Sequence, residues 1–162
     1  MDFLKTYDTR GAAEAARPLE LRDQLTGEVI TADGKPCIVL VKGASSRSAQ
    51  AELRRDEIAR AKAAKDAGGE PDARTAEDMH QATCQAAARF IVGFQNIQTM
   101  QDGKARDLTL DDVQAFLDLN FISMPHLMRD KKTEGWTKPS FAQQVLDRAQ
   151  DDADFLSKST TP

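Results

Sequence analysis

A chain of 162 residues, 40% hydrophobic but only 6% aromatic, is long enough for one domain yet leaves much of its apolar content to alanine, which buries little area. Its core is expected to be thin and spread among helices. Charged residues reach 30% with both signs mixed and a net charge of −4, and the densest basic stretch, 129–138, is broken by Asp130 and Glu134, so nucleic acid is not expected as a partner.

The N-terminus carries Asp2 where a signal peptide wants a basic region, and residues 1–16 hold Phe3, Leu4 and Tyr7 before an Ala/Glu run without committed periodicity. This stretch reads as a flexible arm or short helix. Pro18-Leu19-Glu20-Leu21-Arg22 alternates apolar and polar and suits a half-buried strand. Thr26-Gly27-Glu28 and Asp33-Gly34-Lys35-Pro36 are turn signals, with Val29-Ile30 as a short strand between them. The β-branched run from Cys37 to Val41 is the firmest strand. Its Ile38–Val41 core is the longest aliphatic run, far short of a membrane span.

After Gly43, Ser45 or Ser46 caps a helix running to about Ala67. Its large apolar residues are only Leu53 and Ile58, and Glu52 with Arg55 and Asp56 with Arg60 stand at the spacing of helical ion pairs. Residues 68–74 read as a linker. Thr75 with Asp78 resembles a capping box opening a core helix, whose stripe runs Met79, Thr83, Ala86 or Ala87, Phe90 or Ile91, and Phe94. Asp102-Gly103 makes a turn, and Thr109 with Asp112 caps a second helix carrying Val113, Phe116, Leu117 and Asn120. Pro125 opens a short helix that Gly135 stops before Trp136, and Ser140 with Gln143 caps a last helix over about 140–157.

The fold class is therefore α+β: a small N-terminal antiparallel β element of two to three strands followed by a mainly α-helical bundle. The expected organisation is an arm at 1–16, the β element with its charged helix at 17–67, the linker, and a bundle at 75–162 that either packs with 17–67 or stands beside it.

Reactive groups are sparse. Cys37 and Cys84 are too few for a disulfide framework. His80 and Cys84, four apart on one helix, can face a common metal, but zinc wants three or four protein ligands, which would require Cys37 and His126 to converge as well. The plainer reading keeps Cys84 as a small buried hydrophobe and His80 at the surface. A Cys–His pair built from Cys84 or Cys37 with His126 lacks an accompanying nucleophile elbow or oxyanion loop. The acids at Asp111-Asp112 suit the opening turn of a helix, and Asp151, Asp152 and Asp154 suit a solvated face. Lys42-Gly43-Ala44-Ser45-Ser46 has the wrong order for a phosphate loop. Trp136 either anchors a partner or plugs the core. No catalytic, cofactor or metal residue is assigned from this reading, and no enzyme is expected.

Taken in order, Pro18–Asp23, Thr26-Gly27-Glu28, Asp33–Pro36 leading into Ile38–Val41, and the Ser-capped basic and alanine-rich segment Gly43–Lys65 resemble the front of tail assembly chaperones of long-tailed phages and prophages. Cys84–Phe94 followed by Gln95-Asn96-Ile97 and Asp102-Gly103-Lys104 is similar to the family's middle, with Phe94 where a tryptophan commonly stands. Phe141 through Asp154-Phe155-Leu156 resembles its closing helix, while 120–136 is longer than the pattern. The resemblance implies a protein of the bacterial host's cytoplasm that binds the tape-measure protein, keeps it soluble and helps recruit tail-tube subunits. It also implies absence from the finished particle and, in many relatives, a longer frameshifted product. Self-association stays open, and neither cofactor nor membrane is expected. Phe3, Leu4, Leu53, Ile58 and Trp136 are the candidate partner contacts. A minor tail or head–tail connector protein is the rival reading, and a small metal-dependent or cysteine hydrolase a remote third.

Overall fold

The computed structural model describes residues 1–68, 75–121 and 139–151. Its centre is a three-stranded antiparallel sheet in the order β1 (Arg17–Glu20), β4 (Ile38–Val41), β5 (Ile91–Gln95). Strand β4 is central because it can bury alternate side chains while pairing on both edges. Val39 and Val41 are fully buried, and Val39 lies opposite Leu19 on one side and Phe94 on the other. Two small hairpins flank this sheet. Strands β2 (Thr31–Ala32) and β3 (Lys35–Pro36) are joined by Asp33-Gly34, and β6 (Gln98–Gln101) and β7 (Lys104–Asp107) by Asp102-Gly103. In each two-residue loop both residues have φ between 52° and 77°, the combination that twists a hairpin correctly and that Asp-Gly tolerates.

The expected separation of a β front from a helical rear does not hold. Strands continue along the chain to Asp107, and 91–107 supplies β5, β6 and β7. The stripe read through Phe90, Ile91 and Phe94 as one helix breaks at Arg89, after which the chain is extended. The cause is local. Ile91 and Val92 are β-branched and Gly93 is a poor helix residue, while β4 offers an open edge on which Phe94 faces Val39. The architecture is a mixed one, with strands distributed through the sequence.

Helices α4 (Ala76–Ala88), α5 (Val113–Leu117) and α6 (Phe141–Ala149) pack with one another, and α6 also packs on β4. Their contacts are made by small side chains, with Cys84 and Ala87 on α4 and Ala142, Val145 and Ala149 on α6 almost completely buried. The bulk comes from a row of rings: Phe116 stands edge-on to Phe94 and stacks on Phe141, with centroids 5.1 Å apart in both pairs. The Thr75–Asp78 capping box forms as read, and Ser140 caps α6 through the Gln143 N–H. The Thr109–Asp112 box forms too, opening a 3-10 turn, Leu110–Asp112, that leads into α5.

At the N-terminal side, α1 (Phe3–Thr6) and α2 (Thr9–Glu14) precede β1, and α3 (Arg47–Ala67) follows β4. Ser46 caps α3 and the left-handed Gly68 closes it. The 21-residue helix is about 32 Å long at 1.5 Å per residue, yet only Ala49 on it is buried. From Arg54 to Gly68 every residue is exposed. Two acids of α3 reach away from their own helix: Glu52 lies 3.8 Å from Lys42, and Asp56 pairs with the buried Arg89 at 2.9 Å. Among the described residues no helix is long and apolar enough to cross a membrane.

Candidate functional site

Two features have the makings of a site, an apolar groove and a cluster of polar side chains. The groove has a volume of about 370 Å³ and lies between the β6–β7 hairpin, α5 and the segment carrying Leu21, Ile30 and Cys37. Phe116 and Phe141 form its inner wall, while Met100 and Leu119, 67% and 70% exposed, stand at its rim. Apolar side chains left this open on a small protein are the usual material of a partner contact. One edge carries a fixed polar pair. The Arg106 guanidinium grips both carboxylate oxygens of Asp112 at 2.7 and 2.8 Å, and with the Thr109 N–H it holds that carboxyl well below the usual range. Asp112 is thereby committed to structure. Its neighbour Asp111 belongs to no group of three or more His, Cys, Asp or Glu side chains among the described residues.

The residues singled out as partner contacts are scattered. Phe3 and Leu4 are 64% and 85% exposed on α1, and Phe3 rests on the equally open Tyr7 at 4.6 Å. The arm is fastened through α2: Asp8 takes two hydrogen bonds from Arg47, Glu14 accepts from the Ser48 N–H and hydroxyl, and the Gly43 N–H donates to the Ala13 carbonyl. Leu53 and Ile58 do not share a face. Five residues advance a helix by about 140° beyond a full turn. Leu53 is half-buried in a recess that Arg10 of the arm also lines, whereas Ile58 is 63% exposed and turned from the body. Trp136 and His126 lie outside the described residues, as do Asp152 and Asp154.

Lys42 to Ser46 is a structural corner. The Lys42 ammonium donates to Ser48, and Ser46 is wholly buried as the cap of α3.

The polar cluster joins His80 and Cys84 to Asp118, the residue directly after α5. The Asp118 carboxylate lies 2.9 Å from His80 Nε2, and Cys84 Sγ is 3.5 Å from the same nitrogen and 3.5 Å from the Leu117 carbonyl. Contrary to the plainer reading, His80 is not at the surface: it is buried, packs against the ring of Phe121 at 5.0 Å, and is oriented by these contacts. Gln81 donates to both Asp118 and Glu77. The i, i+4 spacing gave His80 and Cys84 in advance. Asp118 was missed, and the convergence imagined with Cys37 does not occur, because Cys37 lies at the groove, its thiol bonded to the Asn96 carbonyl at 3.2 Å.

As a nucleophilic device the cluster is badly arranged. A base needs one ring nitrogen for the nucleophile and the other for the orienting carboxylate. Here the sulfur is nearer the nitrogen that the carboxylate already holds, 3.5 Å from Nε2 against 3.9 Å from Nδ1. Burial, with the charges of Asp118 and Glu77 adding to it, pushes the Cys84 thiol up to about 11, so near neutral pH it is not a thiolate. No family model, curated protein or solved structure matches this chain.

Proposed function

We propose that this protein is a tail assembly chaperone of a long-tailed phage or prophage, a non-enzymatic binding protein of the bacterial host's cytoplasm. In this reading it holds the tape-measure protein in solution and helps recruit tail-tube subunits during tail assembly. The reading draws on the order of the sequence segments described above, and the observation that carries it is the open apolar groove beside α5. A groove lined by aromatic and aliphatic side chains suits the apolar stripe of an amphipathic helix, and the tape-measure chain is the partner that the resemblance implies. The arm's Phe3 and Leu4, with Leu53 and Ile58 on α3, offer a second, more dispersed apolar surface.

The proposal expects a very long coiled-coil-like reading frame beside this one, and coexpression with its product, the tape-measure protein of this reading, tests it. The wild-type chain is expected to co-purify with that protein and keep it soluble. Met100→Asp with Leu119→Asp places charge on the groove's exposed rim, and loss of the complex at unchanged thermal stability is the expected result. A serine replacement of Phe3, Leu4, Leu53 and Ile58 measures the share of the other surface. If both sets of variants retain the complex, or if the wild-type chain never captures the tape-measure protein, the assignment fails. Finding the chain in purified particles would favour the rival, a structural virion component.

A further inference from the structure

We propose that His80, Cys84 and Asp118 form a binding site for a thiophilic divalent cation of the zinc class, with its fourth coordination position left to solvent. The donor set is the first reason: one imidazole, one sulfur and one carboxylate, all within 4.8 Å of one another. Hard cations such as magnesium or calcium avoid sulfur, whereas zinc takes all three donors.

Geometry is the second reason. In a tetrahedral site with a zinc–sulfur bond of about 2.3 Å and a zinc–nitrogen bond of about 2.05 Å, the two donors sit about 3.5 Å apart. Cys84 Sγ stands at that distance from His80 Nε2 but also 3.9 Å from Nδ1, so it lies beside the ring, and its side chain has to rotate to share an ion on the Nε2 axis. The same construction for nitrogen and carboxylate oxygen gives about 3.4 Å, against 2.9 Å for His80 and Asp118, which now share a hydrogen bond. The carboxylate therefore has to withdraw by about half an ångström to admit the ion. It can do so because the Asp118 side chain is 57% exposed, whereas the His80 side chain is only 5% exposed and fixed.

The surroundings supply the third reason. Ligating carboxylates are commonly hydrogen-bonded by neighbouring side chains, and Gln81, held by Glu77, donates to Asp118 Oδ1, the same oxygen that meets His80. His80 and Cys84 belong to the middle of α4, and Asp118 directly follows α5. A bound ion would cross-link the two helices close to Phe121, on the opposite side of α5's sequence from the Arg106–Asp112 pair that fixes its start. This inference does not rest on the chaperone reading. The ion would brace a binding protein as well as it would any other.

The test is reconstitution of the full chain, stripped with chelator, using cobalt(II) alone and then zinc(II). One equivalent of cobalt is expected to produce a thiolate-to-metal charge-transfer band with tetrahedral d–d bands, and zinc should displace it. Cys84→Ser should abolish the charge-transfer band, and Cys37→Ser should leave it intact. Asp118→Asn retains a side chain of the same shape at an exposed position, so it provides a folded variant. Its zinc affinity should drop by at least the roughly 10–100-fold that follows the loss of an outer hydrogen-bonding partner. Zinc should also raise the Tm of the wild type more than that of Asp118→Asn, since the ion binds the folded state. No charge-transfer band in the wild type, a band lost with Cys37 and kept without Cys84, or an unchanged affinity in Asp118→Asn would each overturn the site.

Discussion

The carboxamide of Gln144 is buried on α6, where its oxygen accepts from the Arg22 N–H at 3.0 Å and its nitrogen donates to the Arg22 carbonyl at 3.0 Å and the Pro139 carbonyl at 3.2 Å. It thus occupies the place of a neighbouring strand beside a chain that has left the sheet at Glu20. Truncation to alanine would leave a partly buried backbone donor and acceptor without their partner. Such a loss costs about 1–3 kcal/mol, so Gln144→Ala should lower the urea midpoint by a corresponding amount. Gln143, one position earlier, spends its amide on Asp147 at the surface. Gln143→Ala should cost only about 0.5 kcal/mol or less, and equal losses at the two positions would refute the clamp. Polar pairings of this kind are the least legible part of the sequence. The alternation around Leu21 and the capping of α6 could be read from neighbouring residues, but the union of Arg22 with Gln144 spans 122 positions. The candidate ion site divides in the same way. His80 and Cys84 are helical neighbours, visible from spacing alone, while Asp118 is delivered by the packing of α5 on α4, which no local pattern encodes.

Among the elements, the arm is held by charge more than by area, since only Ala13 of α1 and α2 is buried. Arg47 lowers the Asp8 carboxyl, with the Gly11 N–H adding to it, and the Ser48 N–H and hydroxyl lower that of Glu14. Both groups therefore stabilise the docked arm as anions. Their full contribution is present above the ordinary carboxylate value of about 4 and is lost as pH falls through the lower folded values. The amides of Gly11 and Ser48, which donate to these carboxylates at 2.9 and 2.7 Å, report the change directly in an NMR titration. Each midpoint should lie below the ordinary value of its own carboxyl, and Arg47→Ala should move the Gly11 midpoint upward. Midpoints at or above the ordinary value would show that the arm is not fastened this way. The same scale shows why some elements were read well and others not. Helix α3 and the capped starts of α4 and α6 follow from Ser46, Thr75 and Ser140, because a cap acts within three residues. The helical stripe fails at its end because Phe90, Ile91 and Phe94 satisfy a helical spacing as well as a strand pairing. The Asp102-Gly103 turn is a hairpin signal when flanked by strands, and the strands were recognisable only once Ile91-Val92-Gly93 was taken as extended.

At the scale of the whole molecule, the strands and helices on either side of 69–74 complete one another. Central strand β4 takes β1 from its own side and β5 from the other, and the Lys42 and Ala44 N–H groups donate to the carbonyls of Phe90 and Ala149. The buried cluster mixes Leu21, Val39 and Val41 with Cys84, Phe116 and Val145. A Gly-rich, Pro-containing segment such as 68–74 marks a change of direction in composition. It carries no information on whether the flanking pieces share a core, because that depends on which faces are apolar and where they point. Cutting the chain there is therefore expected to separate the sequence without separating the fold. Introducing a specific protease site within 69–74 and cleaving the folded protein should give two fragments that elute together under native conditions. They should unfold in one transition whose midpoint is lower than that of the intact chain and rises with protein concentration, since refolding has become bimolecular. The alternative is a pair of independently folded pieces. It would require the β5 edge of β4 to stand open and Val39 and Val41, both fully buried, to face water. Two separable fragments, each keeping its own melting transition at any concentration, would mean that the pairing of β4 with β5 is not what holds this protein together.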